Sequence, residues 1–240
     1  MMRRILIGLA ILFLTGGLTL GMLILFNSKQ EPETQAVENY RAAMQAFHAA
    51  TSEKSATAIT EINELANKVE SSGDYAIIER AAKSYLRDVL VPYYEVAELQ
   101  NQGVYQSGIN AELLSSQRPD FATAISEINT MREKLTQLQN VADNLFLREA
   151  AESYLGDAEL SDELRQLFDD EVKNVYDDTA LKQDYFNFIN TYRPRTDYYA
   201  KILDFLVANQ KNWHLEDNKI IFKTTALTRQ YNTLVSEKNF

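Results

Sequence analysis

An uninterrupted apolar run near the N-terminus limits what this chain can fold into. Residues 5–26, ILIGLAILFLTGGLTLGMLILF, carry no charged side chain and only two hydroxyl groups, those of Thr15 and Thr19. A helix rises about 1.5 Å per residue, so this run is about 33 Å long, enough to cross a hydrocarbon core of roughly 30 Å. The run therefore predicts a single transmembrane helix over residues 5–26, with the lipid bilayer as its partner.

A cleaved secretory signal is the alternative, because Arg3 and Arg4 precede the run. Signals usually have an apolar region of about 7 to 15 residues followed by a small-residue cleavage motif. This run is longer, and no such motif follows it. An uncleaved anchor is therefore favoured. Since the basic residues precede it, the positive-inside rule predicts residues 1–4 in the cytoplasm and the bulk of the chain outside.

The chain beyond the anchor is acidic and contains no cysteine. The whole sequence has a net charge of −10, and beyond the anchor 22 basic residues face 34 acidic ones, a net of −12. Such a surface repels nucleic acid, so no nucleic-acid partner is expected. The lack of cysteine excludes disulfides, zinc–thiolate sites and lipidated cysteine, which leaves the apolar run as the visible membrane attachment.

Residues 27–34 are predicted to form a linker, and residues 35–240 a mainly α-helical extracytoplasmic bundle. Apolar residues recur there three and four positions apart, which is the spacing of amphipathic helices. One such stripe comprises Ile59, Ile62, Leu65 and Val69. The expected breaks between helices lie at Gly73, Gly103 to Gly108, Pro119, Gly156 and Pro194.

One small β-hairpin is predicted near the C-terminus. Trp213–Leu215 and Ile220–Phe222 are short β-prone runs separated by polar residues, as in a hairpin. Thr224 or Thr225 is then expected to cap a last helix.

Two segments of the bundle, about 54–90 and 120–157, share sequence and predict a duplicated helical hairpin. ATAITEIN at 56–63 matches ATAISEIN at 122–129, and AAKSYLRD at 81–88 matches AAESYLGD at 150–157. The offset changes from 66 to 69 residues between the two blocks. A length change in a turn with retained helical faces is expected of two helical copies.

No catalytic or metal-binding constellation is recognisable in the sequence. His48 and His214 are the only two histidines, and neither lies in a zinc or di-iron motif. Nucleotide-binding loops and nucleophile elbows are also missing. The sequence therefore predicts a protein that is not an enzyme and needs no cofactor or metal.

The candidate ligand-binding residues are Tyr192, Arg193, Arg195, Tyr198 and Tyr199. Two arginines at a helix break, with tyrosines beside them, suit an anion, a glycan or a carboxylate. The favoured alternative is a plain turn in which Pro194 stops one helix and Thr196 or Asp197 starts the next.

A second candidate is a pairing motif in the anchor. Gly17 and Gly21 are spaced as in GxxxG, which allows close approach of another membrane helix. The favoured alternative is that glycine is simply common in membrane helices and the motif occurs by chance.

The C-terminal stretch Asp204–Leu234, with Ile220-x-Phe222 followed by Tyr231-Asn232-x-Leu234, resembles the end of a family of uncharacterised membrane-attached bacterial envelope proteins. The chain departs from that family in lacking a lipidated cysteine. The resemblance implies an envelope location and no site residue.

The leading functional hypothesis is a non-enzymatic envelope scaffold that binds a protein partner or forms a homo-oligomer. The alternatives are an extracytoplasmic ligand-binding or sensory bundle that acts through a partner membrane protein, and an enzyme that acts on envelope polymers through Asp or Glu.

Overall fold

A computed structural model of the chain describes residues 31–52 and 56–238. The predicted mainly helical fold with one small hairpin is confirmed over these ranges. The helices are α1 (Glu31–Ser52), α2 (Ala56–Asn67), α3 (Gly73–Leu99), α4 (Gly103–Ser107), α5 (Ala111–Ser116), α6 (Ala122–Asn144), α7 (Arg148–Ser153), α8 (Asp162–Tyr176), α9 (Thr179–Ala208) and α10 (Thr225–Ser236). The strands β1 (Trp213–Glu216) and β2 (Lys219–Phe222) lie between α9 and α10.

The predicted anchor, with Gly17 and Gly21, lies outside the described residues. None of the helices within 31–52 and 56–238 is long and apolar enough to cross a membrane.

The part predicted as one bundle divides into two compact units. Among the described residues, unit 1 comprises 31–52 and 56–94 together with Asn140–Asp184, and unit 2 comprises Glu95–Gln139 and residues 185–238. Each unit therefore contains two separate stretches of the sequence.

The core of unit 1 is built on α1, α2, α3 and α8. Helix α1 buries one stripe at helical spacing, which includes Tyr40, Met44 and Phe47. Burial of each such side chain contributes roughly 1.5–3 kcal/mol. Other fully covered residues of this core are Ile62, Ile78, Tyr85, Leu86, Val89, Phe168 and Val172.

Helix α1 begins inside the segment predicted as a linker. Residues 31–34 form its first turn. Pro32 suits this position because backbone N–H groups in the first turn have no acceptor within the helix.

The core of unit 2 joins the second half of α9 to the hairpin. The two strands pair antiparallel with Trp213 opposite Phe222 and Leu215 opposite Ile220. Trp213 is only 3% exposed, stacks on Phe121 with ring centroids 6.1 Å apart and donates its indole N–H to the Leu206 carbonyl at 2.9 Å. Thr224 caps α10, as expected, by accepting from the Leu227 N–H.

Pro194 does not end a helix, contrary to the prediction. Helix α9 runs through it from Thr179 to Ala208. An internal proline removes one backbone hydrogen bond, but Ile189 and Tyr192 before it and Thr196 and Tyr199 after it are buried. Packing on both sides therefore holds the helix together.

The two segments that share sequence begin their first helices at matching residues, Ala56 and Ala122. Equivalent positions are also buried in both, as in Ile62 and Ile128. The helices differ in length, because α2 has 12 residues and α6 has 23. The second block diverges as well: α7 ends at Ser153, and Gly156 follows at φ 58°, where the first segment has the helical Arg87. The duplication itself stays a prediction.

Candidate functional site

The predicted ligand-binding residues lie on one continuous helix, α9, and this separates the two arginines. Residues two apart on an α-helix point about 200° apart around its axis. Arg193 is exposed, whereas Arg195 is half-buried and faces the core of unit 2. The arrangement does not bring the two guanidinium groups to one anion.

Arg195 is enclosed by three tyrosines, and we call Tyr105, Tyr192, Arg195 and Tyr199 the tyrosine–arginine cluster. Its guanidinium carbon lies 6.0, 5.8 and 5.4 Å from the ring centres of Tyr105, Tyr192 and Tyr199. Arg195 Nε donates to the Tyr199 hydroxyl at 3.1 Å, and Nη2 donates to the Tyr105 carbonyl. The guanidinium group of Arg195 thus holds α4 against α9.

Hydrogen bonds close this cluster on the other side. The Tyr105 hydroxyl donates to Thr196 Oγ1 at 3.0 Å, and Thr196 donates to the Tyr192 carbonyl at 2.6 Å. The Tyr192 hydroxyl donates to Gln100 Oε1 at 2.6 Å. The three tyrosines are each at most 7% exposed, so their ring faces are covered by the protein itself.

Burial favours the neutral form of two phenols of this cluster, those of Tyr105 and Tyr192. It raises the pKa of Tyr105 to about 12, against the lowering effects of the Thr196 hydrogen bond and of the charges on Arg132 and Arg195. Burial also raises the pKa of Tyr192, although Arg195 opposes it. The Tyr105 and Tyr192 hydroxyls therefore act as hydrogen-bond donors, to Thr196 and Gln100.

The remaining two predicted residues lie apart from this cluster's hydrogen bonds. The Tyr198 hydroxyl donates to the Val235 carbonyl of α10 at 3.3 Å. Arg193 makes no hydrogen bond or ion pair with the described residues, and the nearby Asp197 pairs with Arg132 at 3.0 Å. Sequence reasoning missed Tyr105, because it lies about 90 positions before its partners and has no motif around it.

The most deeply buried charges belong to Glu79 and Lys83 in unit 1. Their side chains are 0% and 1% exposed, and Lys83 Nζ lies 2.6 Å from Glu79 Oε1. The carboxylate also accepts from the backbone N–H groups of Glu70 and Ser71 and from the Ser71 hydroxyl. Lys83 donates in addition to the Lys68 carbonyl at 2.9 Å.

This network fixes the connection between α2 and α3. Burial alone would raise the pKa of Glu79, but the hydrogen bonds from Lys83, Ser71 and the backbone outweigh it and lower the pKa. The side-chain oxygens of Glu79 and the ammonium group of Lys83 therefore bind the backbone of the turn at residues 68–71.

A second polar cluster ties α1 to α8. His48 Nε2 lies 2.7 Å from Glu171 Oε2, and the Tyr40 hydroxyl donates to Glu171 Oε1 at 3.3 Å. His48 is 30% exposed and Glu171 14%, so this contact is only partly buried. The carboxylates beside Glu171 are also paired, Asp169 with Tyr176 and Asp170 with Lys173.

Within the part of the chain that the structure describes, no group of three or more His, Asp or Glu side chains is arranged to hold a metal ion.

The two units differ strongly in charge. The described residues of unit 1 carry 22 acidic and 9 basic side chains, a net of −13, whereas those of unit 2 carry 11 of each. The acidity predicted for the whole domain thus belongs to unit 1.

Comparison of the chain with protein-family models, with curated proteins and with solved structures gives no match in any of the three.

Proposed function

We propose that the chain is a membrane-anchored, non-enzymatic interaction protein of the bacterial cell envelope, with both helical units outside the cytoplasm. The observation that carries the proposal is the short distance between the apolar run and the folded chain. Helix α1 begins at Glu31, which leaves residues 27–30 after the predicted span. Four residues reach at most about 14 Å when fully extended, so the anchor would hold unit 1 next to the bilayer.

The contacts of α1 support a rigid attachment. Ala36, Tyr40, Met44 and Phe47 are all buried, and Tyr40 also contacts Glu171 of α8. A helix packed in this way moves together with the rest of unit 1. The buried ionic and aromatic clusters of both units likewise hold helices together, which suits a scaffold.

The charge difference supports distinct roles for the two units. Unit 1, at −13, repels anionic headgroups and acidic protein surfaces at close range. Unit 2 carries equal numbers of acidic and basic residues, so a partner packs on it without a net charge penalty. We therefore place the protein contact on unit 2.

Photo-crosslinking in native membranes tests this proposal. A crosslinking residue at the exposed Ser126 of unit 2 should give a discrete higher-mass product, and one at the exposed Thr57 of unit 1 should give less. If the anchor also pairs, Gly17→Ile with Gly21→Ile should reduce the product, while Gly8→Ile in the same run should not. Recovery of only the free monomer from both positions would contradict the scaffold function.

A further inference from the structure

One stretch of unit 2 differs in chemistry from the rest of the chain. Residues 99–117, LQNQGVYQSGINAELLSSQ, contain a single charged side chain, that of Glu112, although 24% of the whole chain is charged. Amide and hydroxyl side chains make up much of the remainder. Its apolar residues Val104, Leu113 and Leu114 are buried, so the stretch presents mainly amide and hydroxyl side chains to the solvent.

The structure forms a concavity from this stretch and the tip of the β-hairpin. It is shallow and widely open to the solvent, with a volume of about 570 Å³. Its lining residues are Asn110, Ala111, Glu112, Ser115, Ser116 and Asn218. We call it the α5 concavity, because α5 provides most of its wall.

Both walls are fixed in place by the core. Leu113 and Leu114 of α5 are 7% and 4% exposed, and Asn110 Oδ1 caps the helix by accepting from the Leu113 N–H at 2.9 Å. The hairpin is held by the buried Trp213, over which the Arg118 guanidinium lies at 4.1 Å. A surface that is already ordered loses little conformational entropy when a ligand binds.

The polar groups of the lining remain available. The Ser115 hydroxyl, the Glu112 carboxylate, the Asn218 amide and the Asn110 amide N–H groups make no hydrogen bond to the described residues. They offer donors and acceptors in close proximity. No basic side chain lines the concavity to attract an anion, and no aromatic ring provides a floor for an apolar ligand.

We propose that the α5 concavity binds a neutral, polyhydroxylated ligand, namely a glycan strand. Sugar hydroxyls both donate and accept hydrogen bonds, as amide and serine side chains do, and a neutral sugar carries no charge to desolvate. A widely open concavity encloses a small molecule poorly, so a polymer laid across it is the better fit. This binding goes beyond the anchored interaction function and does not depend on it.

The test uses the full-length chain in lipid nanodiscs and saturation-transfer difference NMR. The probes are two neutral oligosaccharides, chitohexaose and maltohexaose. At least one should bind saturably with a dissociation constant of about 1–10 mM, as expected of an open site with few contacts. Ser115→Arg, which fills the concavity, should weaken binding at least about tenfold.

Matched variants separate the site from general effects. Ser126→Arg makes the same change at an exposed position of α6 and should leave binding unchanged. Asn218 has φ 60°, which glycine adopts without strain, so Asn218→Gly removes only the amide and should weaken binding about threefold. Thermal unfolding of each variant verifies that it is folded.

Three results would overturn the proposal. The first is the absence of saturable binding by either oligosaccharide, and the second is equal binding by the wild type and a folded Ser115→Arg variant. The third is a preference for the cationic chitosan hexamer that Glu112→Gln abolishes, which would mark a cation site. None of these results bears on the crosslinking or topology of the anchored protein, so failure here and failure of the proposed function are distinguishable.

Discussion

The buried ion pair between Glu79 and Lys83 allows a quantitative prediction from the structure. Lys83→Met keeps most of the length and the aliphatic packing of the side chain but removes its ammonium group. Glu79, at 0% exposure, then remains charged in the core without its cation. The Lys68 carbonyl also loses the donor that lies 2.9 Å away.

The cost of the change follows from what still compensates the carboxylate. Removal of one partner from a buried pair typically costs about 3–5 kcal/mol. Glu79 keeps the hydrogen bonds from the backbone of Glu70 and Ser71 and from the Ser71 hydroxyl, so the lower end applies. We expect a loss of about 3 kcal/mol in the free energy of unfolding, which is roughly a hundredfold in the folding equilibrium.

Urea denaturation of the full-length chain in detergent, followed by circular dichroism, measures this loss. The control is Lys173→Met, because Lys173 lies 2.7 Å from Asp170, close to the 2.6 Å of the buried pair, but is 44% exposed. An exposed pair at this spacing contributes at most about 0.5 kcal/mol. The double variant Lys83→Met with Glu79→Gln should cost less than the sum of its single changes, because no uncompensated charge remains. Equal stabilities of Lys83→Met and Lys173→Met would refute the reasoning.

Three further predictions concern single positions. Gly103 has φ 47°, and a Cβ atom at this position would meet the Glu127 carboxylate. Gly103→Ala should therefore lower the free energy of unfolding by about 2 kcal/mol. Adding Glu127→Ala to this variant should recover part of the loss. Arg195→Ala should lower the free energy of unfolding by about 2 kcal/mol, measured in urea, because two hydrogen bonds are lost. Arg193→Ala should change it by no more than about 0.5 kcal/mol. Equal losses would contradict the structural role of Arg195 in the tyrosine–arginine cluster. The folded-state pKa of Glu79 is lowered from 4.5, so the stabilisation by its carboxylate is present above that pH and is lost as the pH falls through the lower value. The difference in unfolding free energy between wild type and Glu79→Gln should therefore shrink between about pH 6 and pH 3. A constant difference would show that the Glu79 carboxylate is not the source of the stabilisation.

Local features of the chain could be predicted because they depend on near neighbours. The hairpin follows from two β-prone runs with Asp217 and Asn218 between them, which both take positive φ values in the turn. The cap at Thr224 follows from its position before an apolar helical stripe. In each case the determining residues lie within a few positions of one another.

Features that depend on distant contacts could not be predicted. The continuation of α9 through Pro194 depends on packing at Tyr192 and Tyr199, which no helix-breaker rule includes. The partners of Arg195 were also hidden, because Tyr105 joins it across about 90 residues. Nor does the sequence mark where unit 1 ends and unit 2 begins, since α3 extends from one into the other at Tyr94 and Glu95.

The central claim, an anchor at residues 5–26 with both units outside the cytoplasm, is tested most directly by single-cysteine labelling. The chain contains no cysteine of its own, so each introduced thiol reports without background. Ser126→Cys lies at an exposed position of unit 2 and should react with a membrane-impermeant maleimide in intact spheroplasts, whereas Met2→Cys should react only after permeabilisation. Labelling of the thiol at position 126 only after permeabilisation, or release of the protein from membranes by alkaline carbonate, would contradict the account.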